Sequence, residues 1–320
     1  MTAFARLACL CALLIAGTAQ AQTWPAKAIR LIEPAGPGSA VDVFARKLGP
    51  PLAEALGQPV VIDNRPGANS AIGAREVARA PADGYTLLHG NINNALNDLL
   101  SNDACCRLNE ALIPVTRLTS TPLVMVVHPS VPANNLREYL ALAKSKPDFM
   151  TYASGGTGAI TQLLGEKVKT AAGIRSREIP YKAIGAELPD LLAGHVLTAY
   201  LAPVVVTQHI KSGKLRALGV AGPKRFVSLP EVPTLAEAGL PDVEASGWNG
   251  LFVPAGTPRE VINRLHAEVA RILATPAMKA DAVAQGYEFG GESPEEYAAY
   301  IRAELAKWGR VIKESNIRLQ

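Results

Sequence analysis

Aromatic residues make up only 5% of this 320-residue chain, and nowhere do five basic residues follow one another. Single strands are held on stacked aromatics and duplexes on basic stripes, so a formal net charge of +4 spread along the chain argues against nucleic acid as a partner. Cysteine is scarce: Cys9 and Cys11 lie in the first apolar stretch, which leaves the adjacent pair Cys105 and Cys106. Neighbouring Cα atoms stand about 3.8 Å apart, short of the usual disulfide span. The pair reads either as two small loop residues or as a strained vicinal disulfide. Beyond the N-terminus no stretch reaches the roughly 20 uninterrupted apolar residues of a membrane span.

Recognisable catalytic motifs are also missing. His89, His128, His195, His209 and His266 have no neighbours at metal-ligand spacing, and each reads as a surface or capping residue. There is no G-x-S-x-G elbow and no phosphate-binding P-loop. The glycine-rich "SGGTGAI" lacks the third glycine of a dinucleotide fingerprint, with Ile160 and Thr161 standing where it would be. The chain therefore reads as a protein without catalysis, cofactor or metal.

What is present begins with export. Arg6 precedes the apolar run "LACLCALLIAG", and Ala19-Gln20-Ala21 follows as an A-x-A cleavage site. Residues 1–21 read as a secretory signal peptide, with the mature chain starting at Gln22 and exported.

The rest alternates short apolar runs with amphipathic stretches, which predicts an α/β fold. Expected strands are Ile29–Glu33, Pro59–Asn64, Tyr85–His89, Leu123–His128, Met150–Ser154, Arg177–Pro180, Leu197–Leu201, Ala217–Ala221 and Gly250–Pro254. "TPRE" at Thr257 and "SPEE" at Ser293 predict capping boxes opening two late helices. Gly49-Pro50-Pro51 interrupts the first helical pattern and predicts a break or kink there.

Two strand–loop–helix junctions resemble each other, "PAGPGSAVD" from Pro34 and "YASGGTGAITQ" from Tyr152. Glycines allow close backbone approach and turn successive N–H groups inward, and a following helix N-terminus favours an anion. Ser39, Ser154 and Thr157 add hydroxyls. Facing each other, the two junctions would hold both ends of a small dianion without any arginine.

Long segments then carry a family resemblance. They include "WPAKAIRLIEPAGPGSAVDVFARKL", "ALGQPVVIDNRPGANSAIGAREVARAPADGYTLLHG", "YASGGTGAITQLLGE" and "IPYKAIGAELPDLLAGHV". "EVPTLAEAGLPDVEASGWNGLFVPAGTPREVINRL" and the terminal "AELAKWGRVIKESNI" extend it over nearly the whole mature chain. These segments resemble the substrate-binding proteins of tripartite tricarboxylate transporters, the Bug-type receptors.

The resemblance implies a type II periplasmic binding fold. Residues 22–122 and 247–320 would form one α/β lobe and 123–246 the other, with a ligand cleft between them and two chain crossings. It also implies a monomeric receptor that captures a small mono- or dicarboxylate and hands it to membrane permease subunits. A membrane sensor is the alternative partner, and an exported enzyme the remote one.

Carried over by position, the first loop supplies Gly36, Pro37, Gly38, Ser39 and Asp42. The second supplies Ser154, Gly156, Thr157, Gly158 and Ala159. Departures from the family pattern lie near the implied cleft. "HGNINNALNDLL" places Asn91, Asn93 and Asn94 where hydroxyls are frequent, and Pro180-Tyr181-Lys182-Ala183 replaces the frequent "PYKG". Tyr200-Leu201-Ala202 stands where Phe-Asp-Asn is common, making Leu201 either an apolar pocket wall or no contact at all, and Tyr181 is a further expected ligand contact. The Cys-containing loop between Leu100 and Leu112 is a fourth departure.

Overall fold

A computed structural model describes residues 24–100, 108, 110–147, 149–182 and 186–315. The signal segment, Cys105, Cys106 and Ala183 lie outside the described residues.

In chain order the first part builds β1 (Ile29–Glu33), α1 (Ala40–Leu56), β2 (Val60–Asn64), α2 (Ala71–Ala78), β3 (Thr86–Asn91), α3 (Ile92–Leu100) and β4 (Leu112–Pro122). The middle builds β5 (Val124–Val127), α4 (Leu136–Ser145), β6 (Thr151–Ser154), α5 (Ile160–Ala172), β7 (Arg177–Pro180), α6 (Leu188–Leu192), β8 (Thr198–Leu201), α7 (Pro203–Lys211) and β9 (Arg216–Val220). The last part builds β10 (Ser246–Pro254), α8 (Arg259–Leu273), α9 (Pro276–Gln285), β11 (Glu288–Phe289) and α10 (Pro294–Glu314).

Two sheets result. The first has the order β11-β4-β10-β3-β1-β2 and the second β7-β6-β8-β5-β9. β1 pairs in parallel with β2 and β3, and β6 pairs in parallel with β7 and β8. Successive β1 side chains alternate between faces. Ile29 and Leu31 join a core with Phe44, Leu48 and Leu265 from α1 and α8, while Ile32 joins a second core on the opposite face. That second core runs on through Met125, Tyr152, Leu163 and Tyr200, so it also packs the inner face of the second sheet. A separate apolar cluster backs the outer face of the second sheet.

The chain leaves the first sheet between Pro122 and Val124 and returns between Val220 and Ser246. At this junction three backbone amides close a ring. Leu123 N–H donates to Ala245 O (3.1 Å), Ala245 N–H to Ala221 O (2.9 Å), and Ala221 N–H to Leu123 O (2.8 Å). All three residues are buried. The ladder between strands is thus continued across the crossing, and each of these three buried amides has an acceptor.

Four local outcomes differ from the sequence pattern. β4 and β11 add to the first sheet. β4 escapes the alternation rule because its pairing with β10 shifts register twice and because Thr116, Thr119 and Ser120 are buried polar residues. The helix α1 runs through Pro50 and Pro51 as one element from Ala40 to Leu56. A proline at these positions deprives the carbonyls of Arg46 and Lys47 of a donor. Both residues are exposed, while Leu48 and Leu52 keep the helix on its core.

Thr257 does not cap α8. Its hydroxyl donates to Pro254 O (2.8 Å), and Pro258 takes the N-cap position. At Ser293 the capping box forms with Glu296, as its spacing predicts. His89 is neither a surface nor a capping residue: its side chain is fully buried, with Nδ1 2.5 Å from Glu33 Oε2.

Candidate functional site

The first loop follows β1. Gly38 takes a positive φ of 80°, which a side chain would strain, and Ser39 accepts the Asp42 amide at 3.3 Å as N-cap of α1. Asp42 braces the loop from within. Its Oδ2 accepts the Gly38 amide (2.8 Å) and Arg46 Nε (3.0 Å), and its Oδ1 accepts Asn64 Nδ2 (2.8 Å). Burial alone would raise the Asp42 carboxyl, but the bonds from Arg46, Gly38 and Asn64 outweigh it and hold it below the ordinary carboxylate range. The Asn64 amide also donates to Ala35 O (3.0 Å), and Gly36 O receives the Ser39 amide (3.2 Å). Pro37 and Gly38 form the exposed tip.

The second loop follows β6 and is braced by side chains on both flanks. Gly155 N–H donates to Thr161 Oγ1 (2.8 Å), Gly156 N–H to Ser154 Oγ (3.2 Å) and Gly158 N–H to Gln162 Oε1 (2.8 Å). Ser154 Oγ in turn donates to Glu178 Oε1 (2.5 Å), and Gln162 Nε2 to Glu178 Oε2 (3.0 Å). The glycine amides therefore point back into the protein rather than outward, because nearby oxygens satisfy them. Thr157 is exposed at the tip, and Ala159, as N-cap of α5, offers no side-chain cap. A Cβ on Gly156, itself at φ 94°, would stand 3.1 Å from Tyr181 O.

Asn91 and its neighbours close a third junction, between β3 and α3. Asn91 Nδ2 donates to Ser70 Oγ (3.1 Å), its amide donates to Asn94 Oδ1 (3.0 Å), and Asn94 Nδ2 donates to Ser70 O (2.9 Å). These amides hold the turn at Ala68, Asn69 and Ser70, each of which has a positive φ. Tyr181 donates its hydroxyl to Asp190 Oδ2 (2.7 Å), and burial with that bond pushes its phenol up to about 12. Leu201 lies in the outer core of the second sheet with Val126, Ala199 and Val206, 1% exposed. It ends β8, which runs parallel beside β6, and its side chain shares a cluster with Ala153 and Tyr181.

Topology gives the two loops equivalent places in their sheets. Each sits at the carboxyl end of a parallel strand where the chain reverses its direction of travel across the sheet. β1 connects to β2 on one side and β2 to β3 on the other; β6, β7 and β8 repeat the pattern. Such switch points are where open α/β sheets bind ligands. α3, from the first edge, packs against α5, from the second. Surface cavities of about 460 and 450 Å³ open elsewhere, one beside Arg216 and Pro233 and one between α8 and β11. Among the described residues no three His, Cys, Asp or Glu side chains gather as metal ligands, and no helix is long and apolar enough to cross a membrane.

Sequence reasoning missed Glu178, Gln162 and Asn64 as braces. Asn64 stood inside the quoted "DNRPGA" run. Glu178 reaches Ser154 only because β7 pairs in parallel with β6, a register no local pattern encodes.

Two α/β lobes joined by paired crossings, with loops at both switch points, define the class of periplasmic binding proteins. The chain belongs to the tripartite tricarboxylate transporter family receptors, whose sequence model matches residues 44–317. BugT of Bordetella pertussis is 35% identical over 308 residues, 96% of this chain and 94% of BugT. MatC of Rhodopseudomonas palustris, solved with bound malate, is 27% identical with a TM-score of 0.81, over 90% of this chain and 100% of MatC. A second R. palustris protein, solved with adipate, is 31% identical with a TM-score of 0.86, over 92% of this chain and 99% of that one.

Proposed function

We propose that this receptor captures a small organic acid, a mono- or dicarboxylate, and delivers it to the permease subunits of a tripartite tricarboxylate-type transporter. The observation that carries the reading is the pair of glycine-bearing loops at the switch points of two parallel sheets, each opening a helix. Similarity to proteins solved with malate and adipate supports the carboxylate class. Residues 22–122 with 247–320, and 123–246, act as the two lobes, and the ring at Leu123, Ala221 and Ala245 is the hinge between them. The first loop meets the ligand at its tip around Gly36, Pro37, Gly38 and Ser39, with Asp42 as its brace. The second meets it at Thr157, between Gly156 and Gly158, with Ser154 and Ala159 on its flanks. Asn91 and Tyr181 border the same edges, and export places the receptor in the periplasm as a monomer.

Calorimetric titration of the mature chain with a series of C2 to C6 mono- and dicarboxylates, malate and adipate included, tests the reading. Saturable binding of at least one acid is expected. A chain that binds none of them, while folded, overturns it.

A further inference from the structure

We infer that Glu178 is the positioning residue of the second ligand loop, setting the direction of a hydrogen-bond chain that ends on the amides of Gly156 and Gly158. The inference rests on the reading of this loop as part of the ligand site. Ser154 is fully buried and Gln162 8% exposed, so their polar atoms must find partners within the protein. A carboxylate accepts at both oxygens and donates at neither. Glu178 therefore takes the hydroxyl hydrogen of Ser154 at Oε1 and one amide hydrogen of Gln162 at Oε2.

That choice fixes everything downstream. With its hydrogen given to Glu178, Ser154 Oγ turns a lone pair to the Gly156 amide at 3.2 Å. With its NH2 on Glu178, Gln162 must present Oε1 to the Gly158 amide at 2.8 Å. Both glycine amides are thereby committed inward, and Thr157 between them is left as the group the loop shows to the cleft. The loop is shaped before any ligand arrives, which lowers the ordering that binding would otherwise require.

The arrangement makes an unusual prediction for a conservative change. In Glu178→Gln the orientation that keeps the buried Ser154 hydroxyl hydrogen bonded puts the new amide oxygen on Ser154, so Gly156 keeps its partner. The new NH2 group, however, meets the NH2 of Gln162. Gln162 must turn, its own NH2 then faces the Gly158 N–H, and that amide loses its acceptor. Exchanging both residues, Glu178→Gln with Gln162→Glu, restores every bond: the carboxylate at 162 accepts from Gly158 and from the new amide at 178.

Amide hydrogen exchange on the mature chain, labelled with 15N-glycine, reads this directly. Glu178→Gln should speed exchange at Gly158 by about three- to tenfold, the range for one lost hydrogen bond, and leave Gly156 as in the parent. The double exchange should return Gly158 to the parental rate. Gln162→Ala should expose Gly158 alone, which supplies a second test if Glu178→Gln folds poorly. Unchanged Gly158 protection in folded Glu178→Gln or Gln162→Ala overturns the inference, and so does a folded double variant that fails to restore it.

Titration with adipate and malate separates this from the site reading. Parental binding, weakened about three- to tenfold in Glu178→Gln and recovered in the double variant, supports both. Affinity that ignores a demonstrated loss at Gly158 retains Glu178 as the brace and removes the loop from the ligand site. A parental chain that takes neither acid leaves the exchange rates to decide the brace.

Discussion

Glu33 and His89 form a pair whose side chains are both fully buried, 56 residues apart in sequence, and Glu33 Oε1 and His89 Nε2 find no partner among the described residues. Removing one member of such a pair leaves the other unsatisfied in a dry core, which costs about 1–3 kcal/mol. Replacing both with apolar residues of similar volume is neutral or stabilising by about 1–4 kcal/mol. Urea denaturation should therefore place Glu33→Ala well below the parent and the double change Glu33→Val with His89→Leu at or above it. A single change milder than the double would contradict this account.

Asp42 gives the residue scale a pH signature. Its folded carboxyl lies below the ordinary value, so the stability it contributes is complete above that ordinary value and is lost as pH falls through the depressed one. Asp42→Ala should cost about 1.5–3 kcal/mol at neutral pH, the range for hydrogen bonds to a charged group. The gap between parent and variant should close in strongly acid buffer, which denaturation curves taken across pH will check.

At the scale of elements, the two loops differ in what a bulky residue would meet. Gly38 and Gly156 both hold positive φ, so Gly38→Val and Gly156→Val are strained wherever their side chains point. Nothing lies within 4 Å of a Cβ on Gly38, whereas one on Gly156 presses on Tyr181 O. Calorimetry should find acid binding severely weakened in both, with the larger loss of thermal stability in Gly156→Val. Parental affinity in both would move the ligand away from these loops. Elsewhere, Ser293→Ala removes half of the capping box on α10 and should cost about 0.5–2 kcal/mol in the same denaturation experiment.

For the whole molecule, closure is the natural consequence of two lobes joined by two crossings. In the proposed closure the ring at Leu123, Ala221 and Ala245 is the hinge, since there the crossing segments meet and bond to one another. Small-angle scattering with saturating adipate or malate, in a sample shown to bind it, should record a smaller radius of gyration than without it. An identical profile would rule out closure about this ring.

Local physics made much of this protein readable in one dimension. Alternating apolar runs and amphipathic stretches placed β1, β2, β3, β5 to β9 and most of β10, since burial of one strand face or one helix stripe needs only a local pattern. The clustered glycines and prolines at Pro34 and Tyr152 marked both loops, because positive φ and tight turns are local demands on the backbone. The family followed from extended runs rather than from any single residue. Other features required the chain to fold back on itself. β4 lacks clean alternation because its partner β10 shifts register, and α1 survives two prolines because the deprived carbonyls fall on its wet side. The burial of His89 depends on Glu33, carried to it by the neighbouring strand. The direction of the amides in the second loop depends on Glu178, which reaches Ser154 and Gln162 only through the parallel register of β6 and β7. Backbone conformation is set by nearest neighbours along the chain, whereas the partner of a buried polar atom is set by whichever strand lies alongside it.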